Sequence, residues 1–397
     1  MTLKVVVAGA GIGGLAAAAA MHRQGLDVTV IEQTRALAEV GAGLQVSPNA
    51  AKVLRGLGLE EGLKQAACTP EAFCGYDWDS GQELYRTPLA GSHDRLYGAG
   101  YYQVHRADLH ALLASAVPSE RLRLATKIVE AGQEADHAWV KLADGDVIKA
   151  DVVIGADGIR SAVRKAVGPA PEPKYTGMTA FRGLIPASKV PASVERVAAN
   201  WQGPRGHVIH YYLRGFEMLN IVAIMEVDSW TEESWSLPVE KQEMLALFEG
   251  WHPTLLHLLS HIEQPFRWGL YGRAPTELWG NGRISLLGDA VHPMVPFLAQ
   301  GAAMAMEDGY VLGGLLGKYR DTPVEALRKY EAERRPRANR VQQNSLERAA
   351  TIHEADPLKR AERNRIYAEM SKANPEQTMH KGEWIYSYDV DAVIATV

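Results

Sequence analysis

The chain opens on a short apolar run, Leu3 to Ala8, interrupted only by Lys4, and its β-branched valines read as a buried strand. A glycine-rich turn from Gly9 to Gly14 follows, then an alanine-rich stretch to Gln24 that favours helix. Gly25 stops that helix, and Asp27 to Glu32 is a second strand, so the first ~30 residues read as one βαβ unit. Residues 107–115 carry apolar positions at helical spacing, and 146–154 holds two short strands that run into Gly155. From about 174 to 270 the pattern changes: Trp, Tyr, Val and Ile fall in short alternating runs cut by Gly and Pro, the mark of an antiparallel sheet. The earlier pattern resumes with a strand at 283–287 and a helix over about 302–318. Beyond 325 the chain is charged and helical, then aromatic at Trp384, Tyr386 and Tyr388.

This alternation predicts an α/β protein with a Rossmann-like cofactor domain, made discontinuous by an inserted β-sheet domain. The boundaries drawn are 1–75, 98–173 and 271–345 for the cofactor domain and 76–97 with 174–270 for the inserted sheet. Residues 346–397 form a helical and aromatic tail. A chain of 397 residues has room for both units. The net charge of −5 supplies no basic footprint, which argues against nucleic acid as a partner. Two cysteines, Cys68 and Cys74, match no metal-ligand spacing and read as ordinary thiols of a reducing compartment. The apolar N-terminal stretch is broken by glycines and has no clear cleavage site, and no run approaches the ~18 apolar residues of a membrane helix. A cytoplasmic protein with no metal is expected.

Gly9, Gly11 and Gly14 form G-x-G-x-x-G between a strand and a helix. The first permits the tight turn, the second lets backbone approach a diphosphate, and the third lets helix and strand pack closely. Unpaired N–H groups and the helix dipole attract the anion. Glu32, closing the second strand, is placed to bind a ribose diol. The competing reading, glycines that serve packing alone, is weakened because strand, helix, second strand and terminal acid fall in order.

Two further segments follow strands. One is Gly155-Ala156-Asp157-Gly158-Ile159-Arg160-Ser161, continuing to Arg164. The other runs from Gly288-Asp289 through His292-Pro293 and Pro296 to Gly301, opening a helix that carries Met306-Glu307-Asp308. With these three ordered motifs the chain resembles the para-hydroxybenzoate hydroxylase family of flavoprotein aromatic hydroxylases, from Val5 to about Arg340. The resemblance implies FAD as cofactor, NAD(P)H as co-substrate without a second nucleotide domain, and oxygen transfer from O2 to a small aromatic ring through a C4a-hydroperoxyflavin. It implies that Asp289 accepts from the ribityl chain and that backbone near Pro296, Gly301 and Ala302 reaches the flavin ring. It also implies that Arg106 contacts the flavin, that Asp157 supports FAD and NAD(P)H, and that Gly43 and Leu44, in the Gly41–Asn49 loop, lie beside the ring. Arg106 as a surface ion pair and Asp157 as a turn residue are the plainer alternatives.

Within the family the chain is similar to the salicylate, 3-hydroxybenzoate and 6-hydroxynicotinate hydroxylase branch, through 41–49, 207–220, 301–305 and 333–340. His207 and Tyr211 match a His/Tyr pair that lines the pocket in 3-hydroxybenzoate 6-hydroxylases. Residues i and i+4 on a strand face one side, so both can meet one ligand. His207 suits removal of a ring hydroxyl proton, Tyr211 and Gln45 suit substrate contact, and a satisfied strand histidine beside a core tyrosine is the alternative. Two departures leave the substrate open. Pro296 stands where the 3-hydroxybenzoate enzymes carry Gln, and Gln45 where the 6-hydroxynicotinate enzymes carry His. Decarboxylative hydroxylation of a hydroxypyridine carboxylate is the alternative reaction, and a non-catalytic flavin binder the alternative class. The sequence does not fix the oligomeric state, and a homodimer is compatible with it.

Overall fold

The computed structural model describes residues 2–37, 42–227, 237–376 and 382–397; of the loop singled out above, Gly41 lies outside them. Lys4–Ala8 is the central strand of a six-stranded sheet and pairs in parallel with Asp27–Ile31 on one side and Val152–Gly155 on the other. Ile284–Leu286 extends the sheet in parallel beyond Val152–Gly155, and the edges are Gly280–Asn281 and Leu122–Arg123. The chain leaves the central strand toward one side and returns later on the other, so its carboxyl end is a topological switch point. The three glycine-bearing motifs follow Ala8, Gly155 and Leu286, on three neighbouring parallel strands. That register brings them to one edge.

The alanine-rich segment becomes the helix Ile12–Arg23, packed against Gly301–Lys318. The composition follows from the closeness of this contact: a Cβ on Gly309 would stand 2.6 Å from the Ala17 nitrogen, and one on Gly313 2.6 Å from the Ala20 Cβ. Small residues on both helices are the condition for the approach.

The second sheet has eight strands, in the spatial order Leu237–Pro238, Phe266–Gly272, Lys174–Pro186, Met218–Glu226, Gly206–Leu213, Ala198–Gly203, Ala72–Asp77 and Glu83–Pro88. All neighbours are antiparallel except Ala198–Gly203 with Ala72–Asp77. One face is covered by helices Lys241–Ala246 and Pro253–Ser260, which an all-strand reading of 174–270 omits. Their signal was present: Leu255, Leu258, Leu259 and Ile262 sit at helical spacing and pack with Phe181, Val208 and Ile221. The edge strand Glu83–Pro88 is covered by the helix Pro357–Ala373, where Tyr367 meets Tyr85 edge-on at 5.4 Å. The two strands expected over 146–154 form at Val147–Ala150 and Val152–Gly155, but in different sheets.

Glu307 and Asp308 are fully buried on the helix Gly301–Lys318 and meet two arginines of the long helix Pro323–Ile352. Arg334 reaches Glu307 at 2.7 Å and Asp308 at 2.8 Å, and Arg337 bonds Glu307 through two nitrogens at 2.8 and 2.9 Å. Burial alone would raise both carboxyls. For Glu307 the arginines, Arg337 first, outweigh burial; for Asp308 His292 and Arg334 do, so both acids sit below their ordinary range. Removing one partner of such a buried cluster strands charge, at a cost of ~3–5 kcal/mol. Arg334→Met should therefore lower the unfolding free energy of the holoprotein by about that amount. A urea titration should show the midpoint falling with the slope unchanged.

Candidate active site

A cavity lies between the carboxyl edge of the parallel sheet and the uncovered face of the eight-stranded sheet. Each motif loop contributes to its wall, and of the fifteen residues singled out from sequence only Gly9, Gly14, Glu32 and Asp157 stand outside it.

Those four hold the first loops in shape. Gly9 has a φ of +101°, and a Cβ there would lie 2.5 Å from the Ala156 oxygen. A Cβ on Gly14 would fall 2.0 Å from the Gly9 oxygen. Glu32 accepts from the Ala10 and Thr34 backbone nitrogens at 2.9 and 2.8 Å, so its carboxylate orders the loop whose ligand it was expected to bind. Asp157 accepts from the Ser161 hydroxyl and from the Ala162 and Val163 nitrogens, as the plainer turn reading anticipated. Gly11 differs: a Cβ there meets nothing within 4 Å, it lines the cavity, and it caps the helix Ile12–Arg23 without a side-chain hydrogen bond. An open cradle at a helix N-terminus fits a diphosphate.

Further along, Asp289 opens into the cavity. Burial raises its carboxyl above the ordinary range, partly offset by His292 and Arg106. Unlike Asp308 it makes no hydrogen bond to the described residues, as suits an acceptor for ligand hydroxyls. Its loop is fixed from behind, because Asp308 accepts from the Gly288 nitrogen at 3.1 Å and pairs with His292 at 2.6 Å. Gly301 and Ala302 begin the helix Gly301–Lys318, and Gln300 caps it without a side-chain bond, so its N-terminus faces the cavity beside Pro296. Positive helix potential there favours an anionic ring edge. These features fit FAD: an open diphosphate cradle at Gly11, an acceptor at Asp289 and a second helix N-terminus at Gly301.

The opposite wall is the sheet face. His207, Ile209 and Tyr211 line the cavity, whereas Val208 and Tyr212 point into the helix-covered core, as the two-residue period requires. The expected shared face of His207 and Tyr211 is therefore present. His207 is buried and its Nδ1 lies 2.7 Å from His353 Nε2. Burial, then His353 and Arg348, holds its imidazole well below the ordinary range. Tyr211 packs so closely on the strand Gly43–Val46, paired with Tyr102–His105, that a Cβ on Gly43 would sit 2.5 Å from its ring, and the Gly43 nitrogen donates to Asn220 at 2.8 Å. Leu44 and Gln45 follow on that strand, and Gln45 accepts from the Tyr101 hydroxyl at 2.5 Å.

Sequence reasoning missed Arg182, Trp268, Asn220 and His353. Arg182 faces the cavity from the strand Lys174–Pro186, with its guanidinium 3.8 Å above the Trp268 ring. It makes no hydrogen bond to the described residues, and burial lowers its pKa to about 10, which leaves it cationic. An arginine inside a strand of alternating apolar residues was the available signal. Among the described residues no group of His, Cys, Asp and Glu could hold a metal ion, and no helix is long and apolar enough to cross a membrane. Both cysteines are buried and unbridged.

The family described as FAD binding domain matches residues 2–345. The chain is 37% identical over 392 residues to a 3-amino-4-hydroxybenzoate 2-monooxygenase of Streptomyces platensis, spanning 98% of this chain and 97% of that one. It is 38% identical over 349 residues to a 6-hydroxynicotinate 3-monooxygenase of Bordetella bronchiseptica, spanning 86% and 90%. It is 33% identical over 395 residues to a 3-hydroxybenzoate 6-hydroxylase of Klebsiella oxytoca, spanning 98% of each. A salicylate hydroxylase solved as its substrate complex superimposes with a TM-score of 0.84 at 26% identity, over 99% of this chain and 97% of that one.

Two substitutions test the cradle. Asp289→Ala removes an acceptor worth ~1–3 kcal/mol, so FAD should bind roughly tenfold to a hundredfold more weakly. Gly11→Val places a side chain between backbone and diphosphate and should strip flavin more completely. The ratio of flavin to protein absorbance after gel filtration reports both, and full occupancy in either variant would remove that residue from the site.

Proposed function

The chain belongs to the FAD-binding family of aromatic hydroxylases, and from that premise we propose that it consumes NAD(P)H and O2 to hydroxylate a small aromatic carboxylate of the 3-hydroxybenzoate or salicylate type. Arg182 carries this reading: a half-buried cation on the cavity wall, without a hydrogen bond to the described protein, calls for an anionic partner from the ligand. The compounds named for the three relatives, 3-amino-4-hydroxybenzoate, 6-hydroxynicotinate and 3-hydroxybenzoate, all combine a carboxylate with a ring hydroxyl. A carboxylate on Arg182 would bring the hydroxyl toward His207 and Tyr211, with Gln45 on the facing loop. Bound FAD, reduced by NAD(P)H, supplies the activated oxygen. The protein orients the ring and lowers the cost of ionising its hydroxyl, which raises electron density at the ortho and para carbons.

NAD(P)H binding has support in a second, basic recess. Arg160, Arg164, Lys165 and Arg273 line it beside the Asp157 turn, and it shares Gly269 and Tyr271 with the flavin cavity. The proposed division assigns residues 1–75, 98–173 and 271–345 to the cofactor, 76–97 and 174–270 to the substrate and 346–397 to the tail, although the strands Ala72–Asp77 and Phe266–Gly272 of the eight-stranded sheet run across two of these boundaries. The buried, unbridged thiols support a cytoplasmic location, and a homodimer is compatible with this reading. Decarboxylative hydroxylation of 6-hydroxynicotinate is the second reaction to weigh, favoured by the relative from Bordetella bronchiseptica.

NAD(P)H oxidation by the holoenzyme should be stimulated by at least one member of a panel of 3-hydroxybenzoate, salicylate, 3-amino-4-hydroxybenzoate and 6-hydroxynicotinate. Turnover of 6-hydroxynicotinate with release of CO2 marks the second reaction, and no stimulation by any of the four defeats the reading. Arg182→Met should weaken binding of that substrate by the ~1.5–3 kcal/mol of a charged hydrogen bond, seen as a raised KM with flavin retained. His207→Ala should also keep FAD, but hydroxylation should fall by roughly 10²–10⁴-fold, as for a lost general base. NAD(P)H consumed should then appear as H2O2, with partial recovery as pH approaches the pKa of the free phenol. Unchanged product yield per NAD(P)H would return His207 to a structural role.

A further inference from the structure

A base held well below the ordinary histidine pKa accepts a phenol's proton poorly unless it can pass that proton on. His207 has such an outlet. Its Nδ1 lies 2.7 Å from Nε2 of His353, the residue that closes the long helix Pro323–Ile352, and the Nδ1 of His353 lies 3.3 Å from a Glu226 carboxylate oxygen. His353 is buried, whereas the Glu226 side chain is 38% exposed. The backbone fixes the chain of groups: the Arg205 nitrogen donates to the His353 carbonyl at 3.0 Å, and the Glu226 nitrogen donates to the Arg205 carbonyl at 2.8 Å. Cavity and solvent are thus joined by two imidazoles and one carboxylate.

Donor and acceptor roles follow from the acid. A carboxylate only accepts, so His353 presents Nδ1–H to Glu226 and a lone pair on Nε2. His207 must then donate from Nδ1 to that lone pair, which leaves Nε2 as its acceptor nitrogen. Resting on the proposed ionisation of a ring hydroxyl by His207, we propose that His207, His353 and Glu226 conduct the substrate's proton from the cavity to the surface. The ring O–H proton goes to His207 Nε2, the Nδ1 proton of His207 moves to His353 Nε2, and the Nδ1 proton of His353 moves to Glu226 and on to water. No electrons change hands, and the reverse sequence returns a proton to the product. Arg205 lies 3.5 Å from the second Glu226 oxygen, and Arg348 and Arg363 add positive charge near His207 and His353. Burial foremost holds His353 down at about 4, so no proton rests inside the chain. His353 and Glu226 act through His207 and are positioning and relay residues.

The test uses holoenzyme and 3-hydroxybenzoate, or whichever hydroxylated compound of the panel is turned over. Two quantities are followed across a pH series: the ultraviolet difference spectrum of bound phenolate, and product formed per NAD(P)H. In the parent, bound phenolate should appear well below the pKa of the free phenol. In His353→Phe its onset should move toward that pKa, and product yield near neutrality should fall roughly 10- to 100-fold, as is typical for a group behind the reacting one, recovering as pH rises. Glu226→Gln keeps an acceptor for His353 but takes up no proton. It should shift both curves in the same direction by less, and as a surface change it carries the test if His353→Phe does not fold. Parent-like curves in these variants, with His207→Ala impaired, overturn the relay and leave the base. Parent-like curves in His207→Ala overturn the base itself.

Discussion

Glu307 and Asp308 are consecutive on a helix, so their side chains leave its axis about 100° apart, and both end in the protein interior. The angle sends them to different parts of the cavity wall. Asp308 fixes Gly288 and His292 behind the loop that presents Asp289. Glu307 accepts from Asn49 at 2.6 Å, and Asn49, Gln300 and Ser47 close a hydrogen-bonded ring between the start of the helix Pro48–Gly56, which follows the strand Gly43–Val46, and the start of the helix Gly301–Lys318. Two adjacent charges thereby set the relative placement of loops that are more than 240 residues apart in sequence. The arginines that balance them continue outward. Arg337 also donates to the Trp384 and Ile385 carbonyls, so the aromatic tail is fastened to the same cluster.

The cavity it frames carries charge of both signs. Arg106, Arg182 and Asp289 all line it, Arg106 acts electrostatically on Asp289, and the N-terminus of the helix Gly301–Lys318 opens onto the same space. On the proposed reading, the positive potential of the arginines and the helix N-terminus suits both an anionic ring edge and a substrate carboxylate.

Much of this was legible beforehand, for identifiable reasons. The three motif loops follow parallel strands, and both strand and loop announce themselves locally, through β-branched runs and through glycines that admit no Cβ. The shared face of His207 and Tyr211 followed from strand periodicity alone. What escaped was whatever depends on a partner far along the chain. Asn220 lies within a strand whose apolar rhythm masks it, and the Gly43 nitrogen it holds is 177 residues away. His353 lies 146 residues beyond His207 and becomes its neighbour only because a 30-residue helix happens to end there.

The crowding at Gly43 has a consequence for how such an enzyme can change its diet. Tyr211 presses on that glycine from one side while Asn220 holds its nitrogen from the other, so an altered residue at either position would be felt at once by the loop that carries the flavin ring. Ile209, Val222 and Ile224 line the same face without hydrogen-bonding side chains and without touching that loop in this way. If the proposed function holds, substrate scope can drift through those three aliphatic positions with the Gly43 contacts intact, which makes them the natural places for evolution, or a mutagenesis library, to explore new rings.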